Sequence, residues 1–328
     1  MKRIFGFILT VIFSVSILSC SKTTDETLTP LTPSTVKGKN RFTTTIDGDV
    51  REYYVHVPQS YDGSTAVPVV FMLHGTGGNG EEFYNKPGSW RDLGEDENII
   101  TVFPSSWRYC VNDNGEIKNT TKWNTAPDAD FTFCPGQTGR NDIKFLATIL
   151  AECSARFKID NKRIYLAGFS NGGQMAAKCA IEMSDKFAAI AENAGSFYLD
   201  TTYIPKRKLP LLFQIGNEDY GHGNTGPVMP LGKLDTILRT PGLPYLAGRI
   251  NRIANNHVKN FGLNPNFTIT GDTNSVSIAT YKSLTPGSVN DFKVSLVKGM
   301  GHIYPNGDNH WMNAARVQWS WFKQYSLP

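Results

Sequence analysis

The sequence predicts one α/β domain on a mostly parallel central sheet, with N-terminal antiparallel strands and helices on both faces. Three observations carry this. Continuous apolar, β-branched runs recur along the chain, as strands covered on both faces require. Segments with apolar residues at helical spacing lie between them. A hairpin signal, Asp47-Gly48-Asp49, precedes the first alternation of strand and helix. At 328 residues the chain is long enough to bury a substantial core.

Taken in order, "RFTTTI" (41–46) and "REYYVHV" (51–57) flank the hairpin turn. The parallel-strand runs are "VPVVFML" (67–73), "IITVFP" (99–104), "RIYLAG" (163–168), "FAAIAENAG" (187–195), "LPLLFQIG" (209–216) and "FKVSLVKG" (292–299). Ile143, Leu146, Leu150, Cys153 and Phe157 mark one helix face, with Asn141 or Asp142 as its N-cap. Met175, Ala176, Cys179, Ala180 and Met183 mark a second, and residues 310–327 a third, which would bury Ala315, Val317 or Trp319, and Phe322. The segments 105–140 and 217–250 read as long loops, a length that usually has a functional or covering role.

The N-terminus carries an address. Lys2 and Arg3 precede an apolar stretch from Ile4 to Leu18, short for a membrane span and ending "ILSC". The pattern resembles a bacterial lipobox, which implies a signal peptide over 1–19 and lipidation at Cys20. Residues 20–40, rich in Thr, Ser, Pro and Lys, read as a flexible tether, and the domain is expected over 41–328. Export permits disulfides among Cys110, Cys134, Cys153 and Cys179. The four allow three full pairings, among which sequence does not choose: Cys110–Cys134 would close a loop, and Cys153 and Cys179 would either join two helices or stay as buried thiols. The net charge of +4, with both signs interspersed, gives no footprint for nucleic acid, and the leader makes a membrane an expected partner.

Gly168-Phe169-Ser170-Asn171-Gly172 matches G-x-S-x-G between a buried strand and a small-residue helix, the setting of a strained nucleophilic serine. Such a hydroxyl needs a base. Among six histidines, His302 follows the last strand in "KGMGHIYP" and is the candidate. The acid should leave a strand end between serine and base; Asp219 in "QIGNEDYG" is preferred, with Glu218 the alternative. "LHGTGG" (73–78) lets backbone approach a substrate, so the N–H groups of Thr76 and Asn171 are the candidate oxyanion donors, with His74 and Gly75 shaping the loop. No cofactor or metal is expected, since no zinc-type spacing or phosphate-binding glycine pattern is present.

The ordered set "LHGTGG", "GFSNGG", "IGNED" and "GMGH" resembles the α/β-hydrolase superfamily. More narrowly it is similar to the secreted polyhydroxybutyrate depolymerase and feruloyl esterase group, related to carbohydrate esterase family one. "KWNTAP" (122–127) and "NDIKFL" (141–146) also resemble segments of that group, whereas Ile215 stands where its acid loop usually carries histidine. The resemblance spans roughly residues 45–325 and implies hydrolysis of carboxylic esters through an acyl-enzyme on Ser170, Asp219 and His302, with feruloyl or acetyl esters of plant polysaccharides as the expected ester-bearing substrates; the alternatives are a polyhydroxybutyrate ester, a peptide, or glycan binding without catalysis. Trp107, Tyr109, Trp123, Phe131 and Phe133 are the aromatic residues available to stack on such a substrate, with Trp107 and Trp123 chosen as binding residues.

Overall fold

The computed structural model describes residues 36–328 apart from residues 114 and 198. The expected signal peptide, Cys20 and most of the expected tether lie outside the described residues.

Ten strands form one sheet. Two strands open it, β1 (Gly38–Ile46) and β2 (Asp49–Val57), followed by β3 (Val67–Leu73) and β4 (Ile100–Pro104). Strand β1 starts at Gly38, so residues 38–40 belong to the domain rather than to the tether. Further along come β8 (Ile159–Phe169), β9 (Ala189–Asn193), β10 (Leu211–Gly216), β11 (Leu263–Gly271), β12 (Val276–Ser283) and β13 (Phe292–Val297). The order across the sheet is β1-β2-β4-β3-β8-β9-β10-β13-β12-β11. The six central strands are parallel, and an antiparallel pair closes each edge. Only the N-terminal pair was expected. The second, β11–β12, is polar on its outer strand and interrupted by Pro265, so it lacks the continuous apolar signature of a covered strand.

Alternation along β3 places the two cores. Val69, Phe71 and Leu73 join one apolar cluster, while Val70 and Met72 join another, so the strand is covered on both faces. The first cluster is roofed by α3 (Asp142–Arg156), α4 (Asn171–Glu182), α5 (Leu234–Arg239) and α6 (Tyr245–Phe261). The second is roofed by α1 (Gly80–Asn85), α2 (Trp90–Glu97) and α7 (Ala314–Phe322). Helix α3 starts where expected: the Asn141 side chain caps it by accepting the Lys144 N–H at 2.9 Å. In α7, Trp319 faces the sheet and Val317 is exposed.

Neither long connection is a plain loop. Residues 105–140 hold a three-stranded antiparallel sheet of β5 (Trp107–Asp113), β6 (Glu116–Lys122) and β7 (Phe131–Phe133), in the order β6-β5-β7. A Cys110–Cys134 disulfide ties β5 to the residue after β7. Cys153 and Cys179 are both free and buried in the first core. Residues 217–261 supply α5 and α6, whose apolar residues Leu246, Ile250, Ile253, Ala254 and Phe261 pack against the sheet.

Candidate active site

Strand β8 ends at Phe169 and α4 begins at Asn171, leaving Ser170 alone in the turn with φ 56° and ψ −122°. That is a costly conformation for a serine, on the order of 1–3 kcal/mol, and persists only where neighbours enforce it. They do so here through backbone: the Ser170 N–H donates to Asn193 O at 2.8 Å, and Ser170 O accepts the Gln174 N–H at 3.0 Å. The flanking glycines follow from the same crowding. A Cβ on Gly168 would lie 2.1 Å from Gly172 O, and one on Gly172 would lie 2.4 Å from both His74 O and Leu73 O.

His302 follows β13, and Asp219 follows β10, the parallel strand beside it. One asparagine joins the two loops: Asn217 Oδ1 accepts the Gly299 N–H at 2.8 Å, and its Nδ2 donates to Met229 O at 2.9 Å. His302 Nδ1 lies 2.8 Å from Asp219 Oδ1, and His302 Nε2 lies 2.9 Å from Ser170 Oγ. The carboxylate can only accept, which puts the imidazole proton on Nδ1 and leaves Nε2 to accept the serine hydroxyl. Asp219 is fully buried, whereas Glu218 is exposed, so the acid in contact with the imidazole is Asp219. A serine so bonded can pass its proton to His302 as it attacks an electrophilic carbon.

The turn after β3 sits over this group. Thr76, Ser170, Asn171 and His302 line one cleft of about 660 Å³. His74 is fully buried and braces the turn from within: its Nδ1–H donates to Gly75 O at 2.7 Å, while Nε2 accepts the Ser106 N–H at 3.0 Å. Burial holds its imidazole neutral, with a pKa lowered to about 4. Because this folded-state value lies below the ordinary one near 6.5, the stability it contributes is present above pH 6.5 and is lost as pH falls toward 4. A His74→Gln variant is therefore less stable than wild type at neutral pH, and the gap in thermal midpoint narrows between pH 6.5 and pH 4. Thermal unfolding across that range checks it; a gap independent of pH would contradict it.

Trp123 is not placed to stack on a ligand. It is fully buried, its main-chain N–H donates to Asn171 Oδ1 at 2.6 Å and its indole N–H donates to His74 O at 2.8 Å. The ring thus braces the His74 turn, and the Trp123 main chain holds the Asn171 side chain. Trp107 is also outside the cleft lining. It packs against the small cluster of Tyr109, Val111 and Phe131, beneath the guanidinium groups of Arg51 and Arg140. The aromatic residues of β5 and β7 hold their sheet together, with Tyr109 and Phe133 ring centroids 4.8 Å apart. What reaches the cleft from this sheet is polar: Asp113, Glu116, Lys118, Thr120 and Lys122. The cleft is also lined by Tyr220, His222, Asn224 and Arg249, all within the 217–250 segment expected as loop.

Comparison with solved structures fits this architecture. An acetyl xylan esterase from Aspergillus awamori aligns with a TM-score of 0.58 at 14% identity, covering 87% of this chain and 99% of that one. An S-formylglutathione hydrolase from Agrobacterium tumefaciens aligns with a TM-score of 0.53 at 12% identity, covering 91% and 99%. The chain has the α/β-hydrolase fold. Within it, residues 129–226, which include the Ser170 turn and the Asp219 loop, match the model of the prolyl oligopeptidase family. Among curated proteins, feruloyl esterase B of Piromyces equi is 23% identical over 286 residues, 85% of this chain and 46% of that protein. Feruloyl esterase D of Neurospora crassa is 26% identical over 162 residues, 49% of this chain and 51% of that protein. Acetylxylan esterase A of Aspergillus ficuum is 24% identical over 156 residues, 46% of each. The chain thus spans about half the length of the curated relatives it matches.

Proposed function

We propose that this hydrolase-fold chain is a serine carboxylic-ester hydrolase, and that Ser170, His302 and Asp219 are its catalytic residues. The observation that carries the reading is the continuous hydrogen-bonded series from Asp219 Oδ1 through the His302 imidazole to Ser170 Oγ, at 2.8 and 2.9 Å, opening on the cleft. Ser170 Oγ attacks the ester carbonyl carbon as its proton passes to His302 Nε2. The carbonyl π electrons move to oxygen, and the resulting oxyanion accepts hydrogen bonds from the Thr76 and Asn171 main-chain N–H groups. Collapse breaks the bond to the alcohol oxygen, which leaves with the proton from His302. Water then repeats the sequence on the acyl-serine, releasing the acid and restoring Ser170.

For the substrate, the relatives named as feruloyl and acetylxylan esterases support polysaccharide esters. The cleft supports a polar alcohol and a small acyl group such as acetyl ahead of a feruloyl group. Phe169 and Tyr220 are the aromatic rings in its lining among the described residues, while the tryptophans once expected to stack on a phenolic ring lie elsewhere. The leader pattern at 1–19 and Cys20 support an exported protein held to a membrane by lipid. The prolyl oligopeptidase match favours one second reading, cleavage of a peptide bond by the same serine.

A panel tests both: acetylated xylan, a feruloyl arabinoside, a hydroxybutyrate oligomer and a proline-containing peptide, each with wild type and Ser170→Ala. We expect acetate release to exceed ferulate release at least tenfold. Preference for the feruloyl ester would overturn the small-acyl assignment, and peptide turnover above ester turnover would move the reading to a peptidase.

A further inference from the structure

Asp219 is fully buried and carries its charge on few partners. Its Oδ1 accepts from His302 Nδ1 and from the Gly221 N–H at 3.0 Å; Oδ2 has no protein hydrogen-bond partner among the described residues. An ionised carboxylate in such a place needs a compensating charge nearby. Besides His302, the cation within ion-pair distance among the described residues is Arg249 of α6, whose Nη1 stands 3.9 Å from Asp219 Oδ1.

The same guanidinium makes a second contact. Arg249 Nη2 donates to Ala194 O at 2.5 Å. Ala194 sits in the turn just beyond β9 with φ 58°, its N–H donating to Gln214 O at 2.8 Å. The residue before it, Asn193, supplies the carbonyl that accepts the Ser170 N–H. The residue after it, Gly195, lies against the Ser170 carbonyl so closely that a Cβ there would come within 1.9 Å of that oxygen. One planar side chain therefore touches both the acid and the turn that holds the serine in its strained conformation. Helix α6 is anchored in turn where His257 Nε2 meets the buried Glu192 of β9 at 3.2 Å, two turns along from Arg249.

We infer that Arg249 is a positioning residue for the reaction: it faces the Asp219 carboxylate, holds it aligned on His302, and fixes the Ala194 turn beneath Ser170. The inference rests on the hydrolase reading above. Its physical basis is that a guanidinium carries its donors on separate nitrogens in a fixed plane, so one can hold a carbonyl while another faces a carboxylate, whereas an ammonium gathers its donors on a single nitrogen. Arg249 also lines the cleft, so a direct grip on substrate is the competing role.

Arg249→Met, which keeps much of the side chain without its charge, and Arg249→Lys separate the two roles. For p-nitrophenyl acetate, an uncharged substrate, we expect Arg249→Met to lower kcat by roughly 10- to 100-fold with KM changed less than about threefold, and Arg249→Lys to recover part of the loss. An unchanged kcat, or a loss confined to KM, would overturn the assignment. A proton NMR spectrum gives a readout independent of turnover. The low-field signal of the His302 Nδ1–H bonded to Asp219, assigned by its loss in His302→Gln, should persist in Ser170→Ala. It should broaden or move in Arg249→Met at a temperature where thermal unfolding shows that variant folded. A signal unmoved in Arg249→Met contradicts the inference, whereas ester turnover surviving in Ser170→Ala would instead contradict the hydrolase reading.

Discussion

Replacing Ser170 by alanine should leave the fold intact and reduce kcat for p-nitrophenyl acetate by a factor on the order of 10⁶, the typical cost of removing a catalytic serine. The structure makes this a clean test. Ser170 is held by its backbone, through Asn193 O and Gln174 N, so its side chain contributes nothing to the turn except the hydroxyl. Alanine still has to accept φ 56°, as serine does, so little strain is added or removed. The His302–Asp219 contact survives, because neither residue depends on the serine for position; His302 rises from a loop tied to the acid loop through Asn217. We expect a thermal midpoint within a few degrees of wild type and a residual rate from the oxyanion donors alone. A variant that retained even a hundredth of wild-type kcat would contradict nucleophilic catalysis at this position.

Gly172→Ala should be nearly as damaging by a different route. Glycine is a poor residue inside a helix, and on propensity alone alanine would stabilise α4 by about 1 kcal/mol. The added Cβ, however, falls 2.4 Å from both the Leu73 and the His74 carbonyl oxygens. These are backbone atoms at the end of a fully buried central strand and cannot swing aside as a side chain would. Overpacking of this kind costs about 1–3 kcal/mol or more, enough to reverse the propensity gain. Relief requires the start of α4 and the Thr76 turn to part, which moves both candidate oxyanion donors. A displacement near 1 Å at such a site costs roughly 100-fold in rate. We therefore expect a lowered thermal midpoint together with at least that loss in kcat. A more stable, fully active Gly172→Ala would show that the close approach is not required.

These two positions also show which parts of the molecule could be read from sequence. Gly168 and Gly172 are legible because they answer local sterics: only glycine fits at these two points, where a helix start, a strand end and a turn meet. His302 and Asp219 are legible because each leaves the end of an apolar strand, and the structure brings both within hydrogen-bond reach of Ser170 and of one another. Trp107 and Trp123 misled for the reason aromatic residues usually do. A ring in a long segment signals burial of area, and sequence does not say whether it faces a ligand or the protein's own backbone. The Trp123 ring is turned inward, where its indole N–H satisfies the buried His74 carbonyl.

Arg249 was illegible for a further reason. Its partners, Asp219 and Ala194, are 30 and 55 residues away along the chain, and nothing local distinguishes it from a solvated arginine. Its helix was more accessible: Leu246, Ile250, Ile253 and Phe261 recur at helical spacing, a pattern that places α6 against the sheet. The segment read as loop because Gly and Pro crowd its beginning, from Gly221 to Pro244.

The central claim is that Ser170 is a nucleophile activated by His302. Covalent trapping tests it most directly, because it requires no knowledge of the natural substrate. An organophosphonate ester with a good leaving group should add one phosphonyl group per chain, visible in the intact mass and mapped by peptide analysis to Ser170, and should label His302→Ala far more slowly. Labelling of another residue, or a wild-type chain that stays unmodified, would contradict the account.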